Sequence, residues 1–250
     1  MKAKYLLFAV AAAAALAGCA AMAPRTLEVT PEIRAVVASP DRSDADRKTD
    51  ERRRPEILLA FAGVKPGMKV LEVGAGSGYS AELLARSVGP QGVVYAHNSA
   101  DAIARFIKTR FDERAAKPVM KNVVKLIREF DDPVPAGLHD LDLATMLYEY
   151  HDTPAAGVDR AKMNRAIYAA LKPGGHFVVV DHAAKAGADA SVGKTLHRID
   201  EALVRREVEA AGFKLVASAD FLRNPDDPRE ATSSRAAFRV DAFALKFRKP

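Results

Sequence analysis

The chain has 250 residues, of which 49% are hydrophobic and 28% charged. That is enough apolar material for one enzyme-sized α/β core and too much for a disordered chain. Net charge is +6, or +4 once Lys2 and Lys4 of a removable N-terminal segment are set aside. The two signs interleave, as from Asp44 to Arg54, and no basic stripe carries interleaved aromatics, which argues against a nucleic-acid partner.

Residues 1–18 read as a signal peptide. Lys2 and Lys4 precede an apolar stretch from Tyr5 to Ala17 that is short for a bilayer span. Leu16-Ala17-Gly18-Cys19 resembles the lipobox of bacterial lipoproteins. The resemblance implies acylation of Cys19 and, with Ala rather than Asp at position 20, an anchor at the periplasmic face of the outer membrane. A secretory signal cut after Ala23 is the alternative, and Pro24 makes it a poor one. Cys19 is the single cysteine, so no disulfide forms within the chain. Residues 19–42, punctuated by Pro24, Pro31 and Pro40, read as a tether with a short helix, and residues 43–250 as the folded domain.

Charged residues from Ser43 to Arg54 lead into an amphipathic helix from Pro55 to Phe61 that stops at Gly63. Lys69-Val-Leu-Glu-Val73 reads as a strand, Gly74-Ala-Gly-Ser-Gly78 as a tight turn, and Tyr79 opens a helix. Further strands are predicted at Val93–Ala96, Val123–Ile127, Leu141–Leu147, His176–Val180, Phe213–Ala217 and Phe238–Phe247. Helices are predicted at Ala100–Arg114, Asp159–Leu171 and Ile199–Ala211. Strands alternating with helices mean a parallel sheet with right-handed crossovers. The polar, proline-bearing segment Asp220–Ala237 leaves no room for a crossover helix, so the last strand closes as an antiparallel hairpin.

The glycine corner decides the ligand class. A dinucleotide fingerprint needs G-x-G-x-x-G, but the third required position is Tyr79 and the additional glycine is Gly78. The pattern is E-x-G-x-G-x-G, beginning at Glu72, with Lys65-Pro-Gly-Met-Lys69 before it. It resembles the first motif of class I S-adenosylmethionine-dependent methyltransferases. Leu171-Lys-Pro-Gly-Gly-His-Phe-Val-Val-Val180 is similar to the segment before their fifth strand, and the resemblance covers roughly residues 43–250. The whole is similar to a group of bacterial predicted methyltransferases. It implies a Rossmann-like, doubly wound, seven-stranded and mostly parallel sheet in the order 3-2-1-4-5-7-6, with S-adenosylmethionine as cofactor. Glu72, Gly74, Ala75, Gly76, Gly78 and Tyr79 would face the methionine and ribose parts. Asn98 stands where the family places a ribose-binding acid, with His97 as the other possible contact, and Asp131 or Asp132 would take the adenine amino group. The segment from Val70 to Tyr79 is also similar to that of protein isoaspartate methyltransferases, whose upstream substrate segment is not visible between Pro24 and Arg54.

Tyr148-Glu-Tyr-His-Asp152 follows the fourth strand, beside the position of the transferred methyl in that family. An aromatic such as Tyr148 attracts a sulfonium by cation–π interaction, and His151 is the candidate general base, oriented by Asp152 or Glu149. The bland alternative is that these residues only shape the pocket, because methyl transfer depends mainly on positioning. Asp181-His182 and His197-Arg-Ile-Asp-Glu201 lie at the same rim. No His/Cys/Asp set has metal-ligand spacing, so no metal is expected. Asp220–Ala237 is long enough to act as a lid, and its Arg223 would suit an anionic acceptor. The expected function is methyl transfer to a small-molecule acceptor. The alternatives are an anchored, non-catalytic binder of S-adenosylmethionine or a nucleoside, and an NAD-dependent oxidoreductase.

Overall fold

Seven strands form a single sheet in the order β3-β2-β1-β4-β5-β7-β6. They are β1 (Lys69–Val73), β2 (Val93–Asn98), β3 (Val123–Ile127), β4 (Leu141–Leu147), β5 (Leu171–His182), β6 (Lys214–Ala219) and β7 (Ala242–Arg248). The first five pair in parallel, whereas β7 runs antiparallel to both β5 and β6. The computed structural model describes residues 27–236 and 239–250. The signal segment, Cys19 and the start of the tether lie outside the described residues.

Burial explains which runs became strands. In β1, Val70, Leu71, Glu72 and Val73 are all buried, and β4 and β7 are nearly as enclosed, because helices cover both faces. The edge strand β3 instead exposes Val124 and Ile127. One face is covered by α3 (Pro55–Ala62) and α4 (Tyr79–Val88), which contribute Leu58, Leu59, Leu83 and Leu84. The other is covered by α7 (Arg160–Ala170) and α9 (Glu201–Ala210), through Met163, Ile167, Val204 and Val208.

The N-terminal elements are docked on this body. In α1 (Pro31–Val37), the short helix expected in the tether, Ile33, Val36 and Val37 pack on the cluster beneath α3 and α4. The charged segment becomes α2 (Asp44–Arg53), capped by the Ser43 hydroxyl on Asp46 N–H. Its Asp46 takes both terminal nitrogens of Arg114 at 2.8 Å, and Arg114 also donates to the Ser77 carbonyl beside the glycine corner. The helix predicted from Ala100 to Arg114 is broken. A turn, α5 (Ala100–Ala102), continues as a wide π-turn over Ile103–Ile107, Lys108 takes a positive φ of 53°, and α6 (Arg110–Ala115) restarts. A short α8 (Val192–Leu196) precedes α9. Among the described residues no helix is long and apolar enough to cross a membrane.

Candidate functional site

The parallel strands β1, β2, β4 and β5 end together, and the groups with unmet chemistry sit at that rim. The three corner glycines all have positive φ but do different work. A Cβ on Gly74 would lie 2.5 Å from Cγ of Glu149, and one on Gly78 would meet Arg114 and Phe111. These two glycines make room for the protein's own side chains. A Cβ on Gly76 would meet nothing, so Gly76 alone faces open space. Of the glycines expected at the cofactor, Gly76 is the one with open space where a side chain would stand.

The end of β2 holds the corner from beneath. Gly76 N–H donates to Oδ1 of Asn98 at 2.8 Å, and Nδ2 of Asn98 donates back to the Gly76 carbonyl at 3.0 Å. The amide expected at a ribose is committed at both ends to the loop. Asn98→Asp would turn its donor into an oxygen facing a carbonyl, which is why an amide and not the family's acid fits here. His97 accepts from Gly74 N–H through Nδ1 at 3.3 Å, so Nε2 donates to the Arg128 carbonyl at 2.9 Å. The His97 carbonyl accepts from Ala75 N–H at 2.8 Å. Burial lowers the His97 pKa to about 4. An unfolded histidine titrates near 6.5, so between those values the unfolded chain binds a proton the folded chain refuses, and stability falls as pH drops across that window. His97→Gln, which keeps a donor and cannot titrate, should remove up to about 3 kcal/mol of the acid loss. Urea melts of both proteins at pH 7 and pH 4.5 measure the difference.

Glu72, the next-to-last residue of β1, is fully buried, and neither carboxylate oxygen has a hydrogen-bond partner. The Ser80 hydroxyl lies alongside without completing a bond. Burial pushes the carboxyl up to about 7, against the pull of the Arg53 charge. Arg53, the last residue of α2, has a buried and unpaired Nε, and its guanidinium lies 4.5 Å from the Tyr148 ring and 5.4 Å from that of Tyr79. The Tyr79 hydroxyl donates to Asp50 of α2 at 2.6 Å. Tyr79 therefore fastens α2 over the corner, a role the motif alone does not reveal. Asp131 pairs with Lys162 of α7 at 3.2 Å, and Asp132 pairs with Arg128, so both acids expected at an adenine have partners within the protein.

Beyond β4, Tyr148 has a φ of 63° and donates its N–H to the Val180 carbonyl at 2.7 Å. Its ring packs 4.8 Å from that of His182, whose buried Nδ1 is also unpaired. Glu149 underlies Gly74, and burial, reinforced by Asp152, raises its pKa to about 8. His151 is buried, with Nδ1 2.6 Å from Oδ1 of Asp181 and its N–H on Oδ2 at 2.9 Å. Burial opposes its charge, but Asp181 and Asp152 outweigh that and raise the pKa to about 10. The candidate base is thus flanked by two carboxylates that favour its charged form. Asp152 also touches His197, so His151, Asp152 and His197 converge although no spacing in the sequence suggests it.

A cavity of about 650 Å³ opens beside Tyr148 and His182, between α2 and the segment Asp220–Asp241. Arg52, Arg53, Leu222 and Val240 line it. Arg223, considered for an anionic acceptor, pairs instead with Glu201 and lies 3.7 Å from Asp241.

The profile of a family described as a methyltransferase domain matches residues 45–218. A protein-L-isoaspartate O-methyltransferase of Aeropyrum pernix is 36% identical over 107 residues, covering 42% of this chain and 41% of that protein. A ubiquinone/menaquinone biosynthesis C-methyltransferase of Cupriavidus taiwanensis is 27% identical over 126 residues, covering 50% and 47%. The chain spans about half or less of the length of the curated relatives it matches. Among solved structures, a SAM-dependent methyltransferase from Aquifex aeolicus superposes with a TM-score of 0.59 at 21% identity, covering 82% of this chain and 97% of that one. That likeness is one of fold.

Proposed function

The chain belongs to the methyltransferase-domain family, and on that premise we propose that it transfers the methyl group of S-adenosylmethionine to a small-molecule acceptor. The observation that carries this reading is the Glu72 carboxylate, buried with both oxygens unpartnered in the strand that leads into the glycine corner, where Gly76 is the one corner glycine with open space. A buried acceptor pair without donors is costly, and a ligand bringing hydroxyl or ammonium donors relieves it. When bound, S-adenosylmethionine supplies a methyl group on a cationic sulfur. Glu72 accepts hydrogen bonds from the ligand, Gly76 gives it backbone clearance, and Asn98 and His97 hold that loop in place. Tyr148 offers a ring face to a cation, as it already does to Arg53 at 4.5 Å. The adjoining cavity of about 650 Å³ has the size of a small-molecule site. Arg53 and α2 form one side of it.

Calorimetric titration with S-adenosylmethionine, S-adenosylhomocysteine and NAD tests the reading; binding of NAD without the other two would overturn it. Gly76→Ala places a methyl in the open space at a φ of 56°. It should cost about 1–2 kcal/mol of stability while removing ligand binding almost completely. The acceptor is sought by comparing metabolites of wild-type and deletion strains for features differing by one methyl group. The same proposal includes the N-terminal reading: residues 1–18 as a lipoprotein signal and Cys19 as the lipidated residue. Cys19→Ser should then abolish incorporation of labelled palmitate and release the protein from the membrane fraction.

A further inference from the structure

We propose that His151, Asp152 and His197 form a binding site for one divalent transition-metal ion. Oδ1 of Asp152 lies 2.9 Å from Nδ1 of His197 and 3.3 Å from Nε2 of His151, and the three donor atoms all lie within 4.8 Å of one another. Ligands bonded to one ion at about 2.0–2.2 Å in neighbouring positions stand about 3 Å apart, so little movement separates this arrangement from a coordinated one. Two imidazoles and one carboxylate on a single face are a donor set for Zn2+, Fe2+ or Co2+, with the remaining positions open.

The surroundings prepare the ligands. Asp181 is fully buried and is itself fixed by the N–H groups of His151 and His182, at 2.9 and 2.7 Å. Its Oδ1 takes Nδ1–H of His151 at 2.6 Å, so the nitrogen that would bind an ion is Nε2, which faces Asp152 and gives up the proton it shares there when the ion binds. A carboxylate behind a histidine in this way sets the tautomer and raises the ligand's basicity. The two segments that carry the ligands are locked together. A Cβ on Gly193 of α8 would lie 2.1 Å from the His151 carbonyl, so only glycine lets α8 rest on that turn. His197 then ends α8 with a φ of 48°, its N–H on the Gly193 carbonyl at 3.1 Å. Side-chain exposures of 48% for Asp152 and 42% for His197 leave the outer face of an ion accessible. Packed rings connect His151 to the rim that carries Tyr148 and His182, 5.8 Å from His151 to His182 and 4.8 Å onward to Tyr148. An ion here would stand two ring contacts from the Tyr148 rim, and any part it takes in catalysis rests on the methyl-transfer reading although the binding itself does not.

The test is titration of the chelator-treated full chain with Co2+, without S-adenosylmethionine, so that its outcome is independent of cofactor binding. The expected result is saturation at one equivalent, with visible ligand-field absorption that Zn2+ displaces. His197→Ala and Asp152→Asn should each weaken Co2+ binding at least 100-fold, and Asp181→Asn about 10–100-fold. His197 and Asp152 are half exposed, and circular dichroism checks that the variants fold. Absence of a saturable Co2+ spectrum, or a spectrum unchanged in folded His197→Ala and Asp152→Asn proteins, would overturn the proposal.

Discussion

Glu72→Gln should lower the affinity for S-adenosylmethionine about 100-fold and, at the same time, make the unliganded protein more stable at alkaline pH. The two effects share one cause. The carboxylate is fully buried with no hydrogen-bond partner, so its charge destabilises the empty protein and is useful only when a ligand brings donors. Losing charge-assisted hydrogen bonds costs about 1.5–3 kcal/mol. The sign of the pH effect follows from the titration. Folded Glu72 titrates at about 7, against 4.5 for an ordinary glutamate. Between those values the folded chain holds a proton that the unfolded chain has lost, so stability is full below the lower value and falls as pH rises to the upper one. The difference corresponds to about 3 kcal/mol. Urea melts should therefore show Glu72→Gln nearly neutral at pH 4.5 and stabilising at pH 8. Ligand binding near neutrality should release a proton, seen as a buffer-dependent heat in calorimetry. A variant that binds as tightly as the wild type would remove Glu72 from the cofactor site. Unchanged stability at pH 8 would mean that its charge is already compensated.

The strand framework was legible because its signals are local. The runs Val123–Ile127 and Leu141–Leu147 became strands with the predicted limits, and the polar, proline-bearing segment before the last strand correctly implied antiparallel closure. The break at Lys108 was not legible, since Ala100–Arg114 has acceptable helical composition throughout and only packing imposes the positive φ. In the site, the sequence named Glu72, Gly76 and the Tyr148–Asp152 segment from motif position alone. It could not show that Asn98 grips Gly76 or that Tyr79 grips Asp50, because both are contacts between elements. The convergence of His151 and Asp152 with His197 is hidden for the same reason. Metal-ligand patterns are recognised by short spacings, and here the turn after β4 meets the end of α8. The function of α2 was the largest omission: a run of mixed charges read only as the lead-in to the next helix becomes the wall that delivers Arg53 to the cleft.

Arg198→Ala should be the most damaging single substitution outside the cofactor corner, costing about 3–5 kcal/mol. Arg198 is fully buried and faces the equally buried side chain of Asp227 at 2.8 Å. It also donates to the carbonyls of Ala183 at 3.0 Å and Ala231 at 2.9 Å. Asp227 in turn accepts from the N–H groups of Arg229 and Asp241, at 2.8 and 2.7 Å. One guanidinium thus joins the end of β5 to both arms of the loop that walls the 650 Å³ cavity. Removing it leaves a buried carboxylate with its backbone donors and no counter-charge, and two carbonyls with nothing to accept. For a domain of this size the thermal midpoint should fall by about 10 °C, with new protease sensitivity between Asp220 and Asp241. The pair is not expected to be strongly stabilising in itself, because desolvating both charges offsets most of their attraction. The double variant Arg198→Met/Asp227→Leu should therefore recover part of the loss that Arg198→Ala suffers alone. If the double variant is instead as unstable as the single one, the damage comes from the abandoned carbonyls of Ala183 and Ala231 and not from the unpaired charge of Asp227.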